Sequence, residues 1–330
     1  MHEGRFNRMT AAPRQRGIAI VAVLLIVALA AVLAASVMWR QQVATRDVEN
    51  QRLAVETMWA ERAAVEWARA LLRAQNKTSN VTHAGQAWAA PVSDVQLVNF
   101  MPREAVAVNS ELSRAWISGS VEDAQSRFNL MNLVSRIAPG KPWQTNSDGV
   151  LAYRRLLGEL SISPALAQQT ADYILSSLRE TNSADGWPLQ LVSVADLSRI
   201  PGYDAQTVET LTPFITILPD FTTVNANTAA EQVLIAAIPT LSGSLASRLV
   251  DRRNKAYFIS TGDIAEAIMP TGESATLPDG SIVGVSSGYF IVHCRVHSPR
   301  INVRIDTLIA RYGIGNYSWT QVIWAHRLVD

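Results

Sequence analysis

The side chains of this sequence that could do chemistry are few, and their spacing does not match an active site. His293, Cys294 and His297 are metal-ligating residue types that lie close together. In an extended strand His293 and His297 share one face while Cys294 points to the other, which favours incidental strand residues over a zinc site. Asp172 and Glu180 are scattered carboxylates, not a poised acid–base pair. No Ser/His/Asp arrangement, H-E-x-x-H motif or phosphate loop occurs, so we expect no enzyme, no catalytic residues and no cofactor.

Composition gives no preference for a charged partner. The 330 residues carry a formal net charge of +1, so no global field attracts nucleic acid. A chain of this length can hold a membrane anchor together with one large or two small domains. Its single cysteine, Cys294, cannot form an intrachain disulfide, and we therefore expect packed hydrophobic cores to supply the stability.

The N-terminus carries the strongest signal. A basic leader over residues 1–17, which includes Arg14 and Arg16, runs directly into the uncharged segment Ile18–Trp39. A helix over this segment rises ~33 Å at ~1.5 Å per residue, which is enough to cross the hydrocarbon core of a bilayer. Because basic residues are retained on the cytoplasmic side, we expect residues 18–39 to span the membrane once, with the bulk of the chain on the far side.

Three kinds of processing could follow. An ordinary signal peptide would be cut after the apolar run, but this run is longer than the ~7–15 apolar residues of a signal peptide. An uncleaved signal anchor is the second alternative. The third is a leader cut on the basic side, between Gly17 and Ile18. We favour the third, because a glycine at this junction lets the backbone extend into a protease site.

Residues 40–75 continue the helix in amphipathic form. Apolar side chains recur at gaps close to one helical turn, with charged residues between them, until Asn76 breaks the pattern. The predicted apolar stripe consists of Val43, Val48, Leu53, Met58, Trp59, Ala63, Trp67 and Leu71. We expect this stripe to pack against the globular part of the same chain.

The remaining chain reads as strands, then short helices, then strands again. The segments with strand patterns are Val95–Val98, Ala105–Val108, Ala115–Val121, Tyr289–Val296, Val303–Ala310 and Tyr317–Arg327. Prolines separate short helical patterns between Ser135 and Pro270. This order predicts an α+β fold, in which one antiparallel sheet is interrupted by an inserted all-α domain.

The junction Arg16-Gly17-Ile18 at the start of such a helix resembles the class III leader of type IV pilins and type II secretion pseudopilins. Most members carry a glutamate five residues into the mature helix, where this chain has Ala22. A carboxylate inside an apolar helix costs about 2.5–3.5 kcal/mol unless it finds a partner. In this superfamily the partner is the N-terminal amine of the neighbouring subunit. A subunit at the tip has no preceding neighbour, and the protein K family of minor pseudopilins is the branch that lacks the glutamate.

Two internal stretches carry the same resemblance. Asp123–Leu133 is similar to the protein K pattern D-x-x-G-R-F-N-L-N-N-L, with Ser126 in place of glycine and Met131 in place of asparagine. Within it we expect Asn129 and Asn132 to turn the chain from strand to helix.

The stretch Val224–Ala229, between two helix–Ile-Pro–turn–helix segments, resembles SAM-like or helix-hairpin-helix units. Some such hairpins bind DNA phosphates, but the paired glycines are missing here. The basic residues nearby form only a modest face: Arg248, Arg252, Arg253 and Lys255. We therefore expect protein contacts and no nucleic acid.

The resemblance implies a complete domain plan. It comprises a leader (1–17), a transmembrane helix (18–39), its amphipathic continuation (40–75), pilin-like strands (76–134), an inserted α-domain (135–275) and further pilin-like strands (276–330). It also implies calcium in the α-domain. Here Ser176, Arg179 and Thr181 replace the expected acids and leave only Glu180 and Asp185 as weak candidates, so a tight site is not expected.

The resemblance further implies a minor pseudopilin at the tip of a type II secretion pseudopilus, exporting folded periplasmic proteins. A prepilin peptidase would cut between Gly17 and Ile18 and N-methylate Ile18. Ile18, Ala22 and Leu25 would lie at the assembly surface, in contact with I-type and J-type minor pseudopilins and the inner-membrane secretion platform. The protein would be a single-pass inner-membrane protein with a cytoplasmic N-terminus and a periplasmic bulk. A minor pilin of a type IV pilus or competence filament, or an uncleaved periplasmic anchor protein, remain alternatives.

Overall fold

The computed structural model describes residues 16–100, 111–178, 188–269, 276–300 and 302–328. The chain divides into two compact units, Met1–Met58 and Trp59–Asp330. In the first unit the described residues form one continuous helix. The second unit holds the end of that helix, the main sheet and the shorter helices.

The described α-helices are α1 (Arg16–Thr78), α2 (Ser147–Glu159), α3 (Leu166–Ser177), α4 (Ala205–Leu211), α5 (Glu231–Ala237), α6 (Gly243–Lys255) and α7 (Thr261–Ile268). The described strands are β1 (Val92–Gln96), β2 (Trp116–Asp123), β3 (Phe128–Asn129), β4 (Val134–Ser135), β5 (Gln144–Thr145), β6 (Ile215–Thr216), β7 (Val224–Asn225), β8 (Val283–Gly284), β9 (Tyr289–His297), β10 (Asn302–Tyr312) and β11 (Trp319–Leu328). The strand predicted over Val95–Val98 is only partly present, because Leu97–Phe100 form a 3₁₀ turn. The strand predicted over Ala105–Val108 lies outside the described residues.

Five strands form the main sheet in the order β1-β2-β9-β10-β11, and each neighbouring pair is antiparallel. β2 and β9 pair from Trp116 opposite His297 to Asp123 opposite Phe290, although α2–α7 all lie between them in sequence. The chain thus leaves the sheet after β2, builds a helical domain and returns to the same sheet. The predicted α+β fold with a helical insertion is confirmed.

Within the second unit, the end of α1 packs on one face of the sheet. Ala68 and Leu72 are buried against Phe290 and Val292 of β9. Phe290 and Val292 are two residues apart and so point to the same face of the sheet, as the period of two in a strand requires. The Trp88 ring meets the Phe290 ring edge-on at 5.3 Å. Such aromatic pairs contribute about 0.5–1.5 kcal/mol beyond the area they bury.

The predicted apolar stripe is not the buried face of α1. In the first unit Val48 is 65% exposed and Met58 53%; in the second Trp59 is 57% exposed and Trp67 49%. The prediction was wrong because several neighbouring members of the stripe are five residues apart in sequence. Five residues turn a helix by about 140° more than a full revolution, so these side chains do not lie on one face. The other members divide between exposed Val43 and Ala63 and half-buried Leu53 and Leu71.

The inserted domain has its own hydrophobic core. The rings of Phe128 and Tyr153, both fully buried, stack at 5.7 Å. The Tyr153 hydroxyl lies 2.9 Å from the Tyr203 hydroxyl, which in turn lies 2.6 Å from the Thr170 Oγ1. These buried hydroxyls are therefore hydrogen-bonded, as the high desolvation cost of an unpaired polar group requires.

Both helix–turn–helix segments expected from the sequence are present. In the first, a 3₁₀ helix over Val194–Arg199 leads through Gly202 into α4, and in the second α5 leads into α6. Gly202 has a φ of 97°, and a Cβ there would come within 2.7 Å of the Leu166 side chain. This turn therefore requires glycine.

Candidate functional site

α1 carries an exposed apolar surface over the segment expected to span a membrane. Leu25 is 65% exposed and Trp39 71%, and the mean hydropathy of its most apolar window reaches 3.1. The helix is long and apolar enough to cross a bilayer. It is therefore compatible with a single-pass membrane anchor.

The junction expected to be cleaved lies at the start of the described chain. Arg16, Gly17 and Ile18 all belong to α1, so the backbone there is helical and not extended as the glycine led us to expect. Gly17 lowers the cost of unwinding this turn by about 1 kcal/mol relative to alanine. Arg14 lies outside the described residues, and Ala22 is exposed on the helix surface.

A buried polar cluster joins the sheet to the inserted domain. Asp123, at the end of β2, is only 2% exposed. Its Oδ2 accepts hydrogen bonds from Asn225 Nδ2 at 2.8 Å, Thr228 Oγ1 at 2.6 Å and Ser287 Oγ at 2.7 Å. Two of these donors come from Val224–Ala229, the stretch that the sequence marked as distinctive. That stretch therefore ties the inserted domain to the sheet.

Arg311 of β10 completes this cluster. Its guanidinium donates to the Ser287 carbonyl at 2.7 Å and to Thr82 Oγ1 at 3.0 Å, which brings in the loop after α1. Burial raises the pKa of Asp123, with its hydrogen bonds opposing the rise. Burial also lowers the pKa of Arg311 to about 10, opposed by the charge of Asp123. These side chains are buried, and the cluster acts as a structural joint.

Two buried asparagines hold the chain between β6 and β7. Asn129 also caps the 3₁₀ turn Leu130–Leu133, as the sequence predicted, whereas the side chain of Asn132 bonds the distant Thr222 instead. Asn129 Oδ1 accepts hydrogen bonds from the backbone N–H groups of Met131 and Leu218, each at 3.0 Å. Asn132 pairs with both backbone groups of Thr222: its Nδ2 donates to the carbonyl at 2.7 Å, and its Oδ1 accepts from the N–H at 3.0 Å. Side-chain amides here replace the backbone pairing that a sheet would supply.

The basic side chains of α6 are partly used inside the fold. Arg253 donates to the Ala226 and Ala229 carbonyls, and burial lowers its pKa despite the nearby Glu231. The Arg252 guanidinium lies 5.8 Å from the centre of the Phe258 ring. Arg253 is thus used inside the fold, whereas Arg248, Arg252 and Lys255 remain exposed on α6.

An ionic cluster lies on the sheet face opposite α1. His293 Nδ1 is 2.7 Å from Asp306 Oδ1, and His293 Nε2 is 3.4 Å from Glu122 Oε2. Hydrogen bonding to these two carboxylates raises the pKa of His293 to about 9, against the effect of burial. Burial alone would raise the pKa of Glu122, but His293 and Arg127 outweigh it and the pKa is lowered.

The structure brings no metal set together in the described ranges. Cys294 is buried on the α1 side of β9, with its thiol pKa raised to about 12 by burial and, secondarily, by Glu61, whereas His293 faces Asp306. Among the described residues, no group of three His, Cys, Asp or Glu side chains could hold a metal ion. Glu180 and Asp185, the weak calcium candidates, lie outside the described residues.

Sequence reasoning missed the residues that complete the joint. Thr82, Ser287 and Arg311 sit in unremarkable local patterns, and only their meeting at Asp123 gives them a role. Their sequence separation means that no local signal could have identified them.

Known proteins match this chain along most of its length. Residues 126–220 and 224–279 match two family models, both described as type II secretion system (T2SS), protein K. A protein of Pseudomonas aeruginosa named "Type II secretion system protein K" is 29% identical over 320 residues, covering 89% of this chain and 88% of that protein. The chain is similar to type II secretion system protein K. These matches support a minor pseudopilin of the type II secretion system.

A solved structure supports the fold independently. One chain of the crystal structure of the GspK–GspI–GspJ complex from enterotoxigenic Escherichia coli superposes with a TM-score of 0.62, at 17% identity, covering 85% of this chain and 99% of that one. The two family models meet the structure at informative places. The first begins just before Asn129 and Asn132, and the second begins at β7, where Asn225 joins the cluster around Asp123. Asn129, Asn132 and Asn225, which hold the inserted domain in place, therefore lie within the matched segments.

Proposed function

We propose that this minor pseudopilin sits at the tip of the periplasmic pseudopilus and initiates its assembly with I-type and J-type minor pseudopilins. A prepilin peptidase cuts between Gly17 and Ile18 and N-methylates Ile18, and the released helix stays anchored in the inner membrane beside the secretion platform. The N-terminus is cytoplasmic and the bulk of the chain periplasmic. The role involves no catalysis.

The observation that carries this proposal is the exposed apolar surface of α1. Leu25 in the predicted membrane segment, and Trp59 beyond it, are more than half exposed. In water, burying one large apolar side chain contributes about 1.5–3 kcal/mol. Within the bilayer, close packing of small and apolar side chains drives helix association instead. Because α1 exposes apolar side chains both in the predicted membrane segment and beyond it, the helix is suited to packing against the helices of other subunits.

Ala22 supports a place at the tip. A glutamate at this position would need a partner charge in an apolar environment, and a first subunit has no preceding neighbour to provide one. The inserted domain adds bulk between β2 and β9 of the sheet. Both features suit a subunit on which nothing further stacks.

The proposed partners follow from the solved relative. In that crystal structure GspK is assembled with GspI and GspJ, and the fold of this chain matches one of its chains over most of both lengths. We infer that the corresponding I-type and J-type subunits are the first neighbours of this chain.

The test is co-expression of the full-length chain with its I-type, J-type and major pseudopilins, followed by purification in detergent and labelling of sheared filaments. We expect a stable complex with the two minor subunits and label at one end of each filament, independent of filament length. Label along the filament would contradict the tip position. Co-purification with type IV pilus subunits instead would point to the alternative filament.

A further inference from the structure

Polar side chains of α1 contact β11 along its length. Glu61 Oε1 lies 3.0 Å from the Arg327 guanidinium. About two turns further along α1, Arg69 donates two hydrogen bonds to Thr320, from Nη2 to the carbonyl at 2.8 Å and from Nε to Oγ1 at 3.2 Å. Thr320 is buried, so this contact is shielded from water. Arg69 therefore holds the backbone of β11 directly.

A third contact reaches the hairpin between β10 and β11. Asn76 is buried and lies about two turns beyond Arg69. Its Nδ2 donates to the Gly313 carbonyl at 2.6 Å and to Ser318 Oγ at 3.2 Å. Gly313 has a φ of 70°, and a Cβ there would overlap the Tyr317 carbonyl. Glycine is therefore required in the turn that brings this carbonyl to the end of α1.

These contacts supply a direction that the apolar packing of α1 lacks. Ala68 and Leu72 bury the helix against the sheet, but apolar burial is non-directional. A helix held only by such contacts can turn about its axis with little change in buried area, whereas hydrogen bonds depend on angle and distance. Arg69 and Asn76 lie about 20° apart around the axis, on the same side of the buried pair. They therefore resist rotation in a way that the buried pair does not.

We propose that the contacts of Glu61, Arg69 and Asn76 fix the rotation and the register of α1 on the sheet, and that Arg69 and Asn76 are positioning residues for assembly. The inference rests on the proposed function, in which α1 meets other subunits. Trp59 and Trp67 are exposed on the same part of α1, so a rotated helix would redirect both rings. A binding surface that is already held in its bound orientation pays less to become ordered on binding.

The position of α1 is measured by double electron–electron resonance between two nitroxide labels on the full-length chain in detergent. The labels are attached at Ala74→Cys of α1 and Ser120→Cys of β2, both exposed positions, after Cys294→Ala has removed the native thiol. We expect one narrow distribution of label distances in this background. Adding Arg69→Met together with Asn76→Ala should broaden or shift that distribution, because the helix is then free to rotate.

Partner binding is measured with the same substitutions on the unlabelled chain, using purified I-type and J-type pseudopilins. If α1 is correctly oriented in about one molecule in ten, the apparent affinity falls about tenfold, and we expect a loss of this size for Arg69→Met with Asn76→Ala. Arg69→Met alone keeps the aliphatic stem and gives the same test with less disturbance of the fold. Arg73→Met, at an exposed arginine one turn beyond Arg69, is the matched control and should change neither measurement.

The two measurements separate this proposal from the proposed function. A distance distribution as narrow as that of the background, in both the single and the double variant, would overturn the positioning role. A broader distribution with unchanged partner affinity would also overturn it, because the position of α1 would then not matter for assembly. If the unaltered chain forms no complex with I-type and J-type subunits, the proposed function fails, while the label distances still decide whether these contacts fix α1.

Discussion

Replacing Asp123 by asparagine should destabilise the protein by about 3 kcal/mol. The carboxylate is surrounded by donors: three side chains on Oδ2 and the Gln125 N–H on Oδ1 at 2.9 Å. In Asp123→Asn an NH₂ group replaces one of the two carboxylate oxygens. In the better orientation the amide oxygen keeps the three side-chain donors, and the NH₂ faces the Gln125 N–H.

The magnitude follows from this mismatch. A hydrogen bond to a charged group is worth about 1.5–3 kcal/mol, and one is lost outright. The three that remain are weaker, because a neutral acceptor binds roughly half as strongly as a charged one. Relief from burying a charge offsets part of both losses, which leaves a net loss of about 3 kcal/mol.

Thermal unfolding of the full-length chain in detergent measures this effect. At about 2–4 °C per kcal/mol, we expect the Tm of Asp123→Asn to fall by about 6–12 °C. Asp251→Asn, an exposed aspartate of α6, is the control and should change stability by less than about 0.5 kcal/mol. A Tm for Asp123→Asn equal to that of the control would refute the conclusion that the cluster stabilises the joint.

Two further predictions concern the sheet and the inserted domain. His293 has a raised pKa of about 9, so its contribution to stability is complete below its unfolded pKa of ~6.5 and is lost as pH rises through ~9. Because its side chain is 39% exposed, solvent screening reduces this contribution to about 1 kcal/mol. In urea unfolding, the wild type should be more stable than His293→Gln by this amount below about pH 6.5 and equally stable above about pH 9. A stability difference that does not change with pH would contradict the ionic explanation. Gly149→Ala places a Cβ well inside van der Waals contact with the Asn132 carbonyl oxygen, whereas a Cβ at Gly158 in the same helix meets nothing within 4 Å. Gly149→Ala should therefore lower the free energy of unfolding by several kcal/mol, and Gly158→Ala should raise it by up to about 1 kcal/mol. Equal effects of the two variants in the same unfolding assay would contradict the close approach at Gly149.

Local patterns in the sequence were sufficient for much of the fold. The alternating residues of β9 and β10, and the uncharged run that opens α1, follow from side-chain periodicity alone. The interrupted sheet was predictable because strands at the two ends of a chain with helices between them have few ways to bury their apolar faces together.

The contacts between distant segments were not predictable. Asp123 and Asn225 are brought together by the return of the chain to the sheet, and nothing near either residue in sequence indicates it. The face of α1 was predicted wrongly for a related reason. Bulky Trp67 looked like a core residue, but small Ala68 is the one that lets the helix approach the sheet.

The central claim, that this chain is processed and assembled as a pseudopilin, is tested most directly by intact mass spectrometry of the N-terminus of membrane-derived protein, from cells with and without the prepilin peptidase. We predict a species beginning at N-methylated Ile18 that appears only when the peptidase is present. A chain that still begins at Met1 in both strains would contradict the proposed processing and favour an uncleaved membrane anchor.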